Sequence, residues 1–131
     1  MDKREQTGRS GELQGLLSEL SQELSGCSSC SVVHLEEGAA IATISAAAFD
    51  ASTAEAYAAE LLRRHQRLRR KLGTVDEAEE LVLQCSNLCI VSRPFEGSEY
   101  FWMMLGTASS NVTLIRALMR KYHARLEALL P

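Results

Sequence analysis

A chain of 131 residues suits one domain with a core of its own. Hydrophobic residues make up 46% and charged residues 24%, the mix of a globular protein, and no apolar run approaches the roughly 18 residues of a membrane span, so membrane insertion is not expected. The formal net charge of −3 argues against a general nucleic-acid binder, which carries a basic balance over its domain.

The start, MDKREQTGRS, has charge but no apolar stretch. It is expected to be a mobile tail over residues 1–10 and not a signal peptide, with a single domain over 11–131. Leu13, Leu16, Leu17, Leu20 and Leu24 then fall on one face of a helix, which Gly26 is placed to stop. Two β-branched runs flank Glu36-Glu37-Gly38 and predict a hairpin. Ser52 and Glu55 have the spacing of a capping box ahead of a helix from Thr53 to Leu72, closed by Gly73. ELVLQC predicts a strand, Ser86-Asn87 a tight turn, LCIVSRPF a second strand and Glu96-Gly97-Ser98 another turn. YFWMML is apolar at every position, so it is expected to be a strand buried on both faces of a sheet with helices on both sides. Asn111 is the expected cap of a last helix, with Leu114, Ile115, Leu118, Met119, Tyr122, Leu126 and Leu129 on one face. The order is α-β-β-α-β-β-β-α.

No phosphate loop, zinc-protease helix or nucleophile elbow occurs, and no enzyme, cofactor or metal is expected. Cys27 and Cys30 form a C-x-x-C and Cys85 and Cys89 a C-x-x-x-C. Both lie in or beside apolar runs, so free thiols packed as small hydrophobes are expected over a zinc site or a disulfide. Such thiols fit a reducing cytosol and a cytoplasmic location. His65 falls in the apolar stripe of its helix and reads as packed, while His123, beside Arg and Lys, reads as solvated. Asp76, Glu77, Glu79 and Glu80 read as solvated gatekeepers ahead of a strand.

The element order and several stretches resemble the roadblock family, the dynein light-chain roadblock fold, over about Glu12 to Leu130. The final stretch SSNVTLIRALMRKYHARLEAL is similar to that family's last loop and helix through Asn111, Leu114 and Arg116, with Thr113 where a Gly is usual. VSRPF resembles the Arg-Pro of the family's fourth strand. The resemblance implies a five-stranded antiparallel sheet ordered 2-1-5-4-3, with the outer helices on one face and the middle helix on the other. It also implies a homodimer through the third strand and the middle helix, here Leu81, Val82, Leu83, Leu61, His65 and Leu68. Its functional implication is a non-catalytic regulator or docking scaffold for a small Ras-like GTPase. The alternative is a structural adaptor of a motor or signalling assembly with no effect on nucleotide turnover.

From Arg63 to Lys71, six of nine residues are Arg or Lys. At about 100° per residue, Ala54, Tyr57, Ala58, Leu61, His65, Leu68 and Leu72 form one stripe, with Arg63, Gln66, Arg67 and Arg70 opposite. Such a face is either solvated, its cations suited to a helix C-terminus, or a docking surface for an acidic partner. On the second reading Arg63, Gln66, Arg67 and Arg70 bind the partner.

Overall fold

The computed structural model describes residues 3–46, 50–73, 80–107 and 111–131, with 3–10 as backbone only. Its elements are α1 (Lys3–Ser21), β1 (Cys27–His34), β2 (Ala40–Ser45), α2 (Ala51–Leu72), β3 (Leu81–Gln84), β4 (Leu88–Pro94), β5 (Tyr100–Thr107) and α3 (Val112–Glu127). The five strands form one antiparallel sheet in the order β2-β1-β5-β4-β3. No helix among the described residues is long and apolar enough to cross a membrane.

The central strand carries the architecture. On one face of β5, Trp102 and Met104 join leucines of α1 and Ile115, Met119, Tyr122 and Leu126 of α3 in the larger core. On the other, Phe101 and Met103 join Val33 and the α2 residues Ala58, Ala59 and Leu62 in a smaller one. A strand between two helical layers has no polar face, which explains why YFWMML lacks alternation.

α1 begins at Lys3, inside the stretch expected as a tail. It ends at Ser21, before Gly26, because the last turn tightens: the N–H groups of Glu23 and Leu24 bond the carbonyls three residues back. Leu24 still reaches the core. In the β1–β2 hairpin, Gly38 has a φ of 70° and lies so close to α2 that an added Cβ would stand 3.4 Å from the Ala56 Cα. Asn111 caps α3 as expected, its side-chain oxygen accepting the Thr113 N–H at 2.7 Å. Leu114, however, is exposed at the start of that helix, outside the buried stripe.

The capping box does not form. Asp50 is the residue at the N-cap of α2, and its carboxylate accepts hydrogen bonds from the hydroxyls of Ser52 and Thr53. Glu55 points the other way, into the sheet, where its carboxylate accepts from the hydroxyls of Ser31 on β1 and Thr43 on β2. The helix therefore seats a carboxylate, 4% exposed, on its core side.

Candidate functional site

α2 has three flanks. Ala51, Glu55, Ala58, Ala59 and Leu62 are the buried positions and face the sheet. The stripe read from the sequence lies about a quarter turn round from them, toward β3 and β4. Most of its large side chains are exposed: Tyr57 by 65%, Leu61 by 42%, Leu68 by 54% and Leu72 by 67%. Ala54, Tyr57, Ala58 and Leu61 form one wall of a groove of about 300 Å³, and Leu81, Leu83, Ile90 and Ser92 form the other.

The third flank carries the charge. Arg63 stands at its head but is not free: its guanidinium donates to the carbonyl of Leu35 at 2.6 Å and lies 3.4 Å from that of Glu36, tying α2 to the β1–β2 hairpin. This corrects the expectation that Arg63 projects to solvent with the others. Arg67 and Arg70 are exposed, and Gln66 and His65 are half-buried. Arg64 pairs with Glu60 one turn back, at 3.0 Å.

None of residues 63–72 is buried, so the last turns of α2 run on past the core. Gly73 ends this arm in a left-handed conformation at φ 73°, its N–H bonded to the carbonyls of Arg69 and Arg70. Arg69, Arg70 and Lys71 sit where the helix dipole favours cations. That effect acts over one turn and does not explain why Leu61, Leu68 and Leu72 are left in water.

The two edges of the sheet differ. On β2 the side-chain amide of Gln14, from α1, pairs both backbone groups of Thr43: its oxygen accepts the N–H and its nitrogen donates to the carbonyl. The β3 edge has no such cover among the described residues, and Val82 and Leu83 are 40% and 42% exposed. Apolar side chains and an open strand edge thus lie together on one side of the molecule.

Two arginines that carried the family resemblance have an internal task. Arg116 of α3 and Arg93 of β4 converge on Glu80, at 2.6 and 3.6 Å, with Arg120 at 4.0 Å. Glu80 is only 12% exposed, so it anchors the entry to β3 and is not a solvated gatekeeper. Asp76, Glu77 and Glu79 lie outside the described residues.

His123 is half-buried, not fully solvated. Its ring stacks on Phe95 at 4.7 Å, and its Nδ1 accepts the Trp102 Nε1–H at 3.0 Å. Burial, with the charge of Arg93 nearby, holds its pKa below the ordinary imidazole value. Of the thiols, Cys30 and Cys89 are buried and Cys27 half-buried, whereas Cys85 is exposed and not a core residue. No group of three or more metal-ligating side chains occurs among the described residues.

No protein-family model matches the sequence, and no curated protein does. Solved structures do match. An MglB in a tetrameric arrangement superposes with a TM-score of 0.78 at 14% identity, over 92% of this chain and 89% of that one. Myxococcus xanthus MglB gives 0.77 at 12% identity over 93% and 92%. A Roadblock/LC7 domain from Streptomyces avermitilis gives 0.70 at 14% identity over 87% and 97%. The chain has the roadblock fold, with the strand order and helix layers that the resemblance implied.

Proposed function

We propose that this chain is a non-catalytic homodimer that regulates or docks a small Ras-like GTPase. One observation carries the reading: the apolar flank of α2 and the open β3 edge form a single surface, and the helix presenting it extends past its own core. Exposed leucines at that density mark an interface. Two copies meeting β3 to β3 across a two-fold axis would pair the edge groups into a continuous sheet and cover Leu61, Leu68, Val82 and Leu83 from both sides. The tetrameric MglB supports assembly as a habit of this fold. The groove beside the seam is walled by alanine, leucine, isoleucine and tyrosine, with Ser92 its one polar residue, which suits a packing surface better than a reaction centre.

Burying the apolar flank leaves the cationic flank outward, twice over. Six cations per helix arm give a field that steers an acidic partner, a property suited to fast, salt-sensitive docking. Arg67 and Arg70 are the residues for this task; Arg63 is held by the hairpin and contributes charge from a fixed position.

The test uses affinity capture with the full chain and with an Arg67→Glu/Arg70→Glu variant, at low and high salt, followed by identification of bound proteins. A small GTPase retained by the wild type, and released by the variant most strongly at low salt, is the expected result. Retention of a GTPase that ignores both the substitutions and the salt would remove the cationic flank from the interface. GTP turnover with and without the chain then separates a regulator from a passive adaptor.

A further inference from the structure

The C-x-x-C that opens β1 takes no part in the surface described above. In a regular strand, residues three apart point to opposite faces of the sheet. Here the β1–β5 ladder slips: Cys27 stands opposite Gly106 and Ser29 opposite Leu105, leaving Ser28 as an extra residue. A bulge of this kind shifts the facing of the chain by one. Cys27 is thereby turned to the α1/α3 side, where Cys30 already lies, and both pack against the same core. Successive same-face positions on a strand are about 6.6 Å apart, within the roughly 4.4–6.8 Å between Cα atoms that a disulfide spans. The Cys27 S–H lies 3.7 Å from the Ser29 carbonyl. Gly106, the neighbour across from Cys27, adds no side chain to crowd them.

The two sulfurs have different surroundings. Cys27 is half-buried and open to a small reagent. Cys30 is fully buried, its S–H directed 3.6 Å from the Leu17 carbonyl of α1. This is the division between an attacking thiol and a resolving one.

We propose that Cys27 and Cys30 are a reversible disulfide site, closed by exchange with a small-molecule disulfide of the glutathione type. The Cys27 thiolate attacks one sulfur of that disulfide; a Cys27–glutathione bond forms and one glutathione thiolate leaves. The departing thiolate takes the Cys30 proton. The Cys30 sulfur then attacks Cys27 Sγ, the second glutathione leaves, and it is protonated from the proton Cys27 had released. Two protein thiols are oxidised and one glutathione disulfide is reduced to two thiols. The neighbouring Cys30 thiol, with the Ser29 backbone, holds the Cys27 thiol below its ordinary pKa, which favours the nucleophilic form. The neighbouring Cys27, with burial, raises the Cys30 thiol, and that neighbour loses its charge once the mixed disulfide has formed. Closing the bond would lock the corner where α1 meets β1, since the Cys27 N–H already bonds the Leu24 carbonyl.

The test is made on the full chain with Cys85→Ser, which removes the exposed thiol that competes for the reagent. The chain is equilibrated in glutathione buffers of increasing disulfide fraction, alkylated and read by intact and fragment mass. The expected result is loss of two hydrogens from the segment holding residues 27–30, reversed by dithiothreitol and absent in Cys27→Ser. In Cys30→Ala the same treatment should leave a lasting glutathione adduct on Cys27. Two outcomes overturn the proposal: both thiols still alkylated in glutathione disulfide alone, or an adduct that stays on Cys27 although Cys30 is intact. Should Cys30→Ala not fold, the Cys85→Ser chain alone decides.

Discussion

Glu55 distinguishes a surface role from a core role by magnitude. A carboxylate closing a capping box contributes on the order of 1 kcal/mol. A buried carboxylate that satisfies two hydroxyls on neighbouring strands contributes more, because its removal leaves Ser31 and Thr43 facing a void. Glu55→Ala should therefore cost about 2–3 kcal/mol in denaturant unfolding. A loss under about 1 kcal/mol would return Glu55 to the helix end. His123 yields a pH prediction. Its pKa in the folded chain is depressed, so the unfolded chain binds the proton more readily. The stabilisation is complete above the unfolded value of about 6.5 and is lost as pH falls through the folded value. The thermal midpoint of the wild type should therefore fall faster between about pH 7 and pH 5 than that of His123→Gln, which keeps an acceptor for Trp102 but does not titrate. Parallel curves would show that His123 has no part in the acid sensitivity. The titration should also shift the fluorescence of Trp102, the single tryptophan.

At the level of elements, patterns tied to one chemical cause were readable in advance. An unbroken apolar strand implied two covered faces, and β5 has them. An Asn at a helix start implied a cap, and Asn111 is one. α2 was harder. Its periodicity correctly groups Tyr57, Leu61, Leu68 and Leu72, yet the face on the core is built of alanines, Leu62 and a glutamate. Small residues suit a close helix–sheet approach, while the larger apolar side chains are left outward, so hydrophobicity marks the exposed stripe more strongly than the core stripe. Contacts between elements distant in sequence left no local signal at all: Arg63 with Leu35, Glu80 with three arginines, and His123 with Trp102. The sheet edges give a further prediction. Gln14→Ala unpairs both backbone groups of Thr43 and should cost about 1–2 kcal/mol. It should also let the chain associate at high concentration beyond its normal state, as a second open edge does. Unchanged stability and unchanged mass would mean that α1 covers β2 without help from the amide.

For the whole molecule, the proposed dimer connects the separate features. A chain with net charge −3 gathers six of its 14 cations on one helix arm, whose opposite flank is apolar and adjoins the only open sheet edge described. Closing that edge on its twin removes the apolar surface from water and leaves the cations outward for a partner. Light scattering at micromolar concentration, comparing the wild type with Leu61→Glu/Leu68→Glu, tests this most directly. Both leucines are exposed in the single chain, so the variant should fold with little change in melting beyond the loss of the dimer. The wild type should have twice the 14.4 kDa chain mass and the variant the chain mass itself. A monomeric wild type, or a variant that remains dimeric, would contradict the α2–β3 seam.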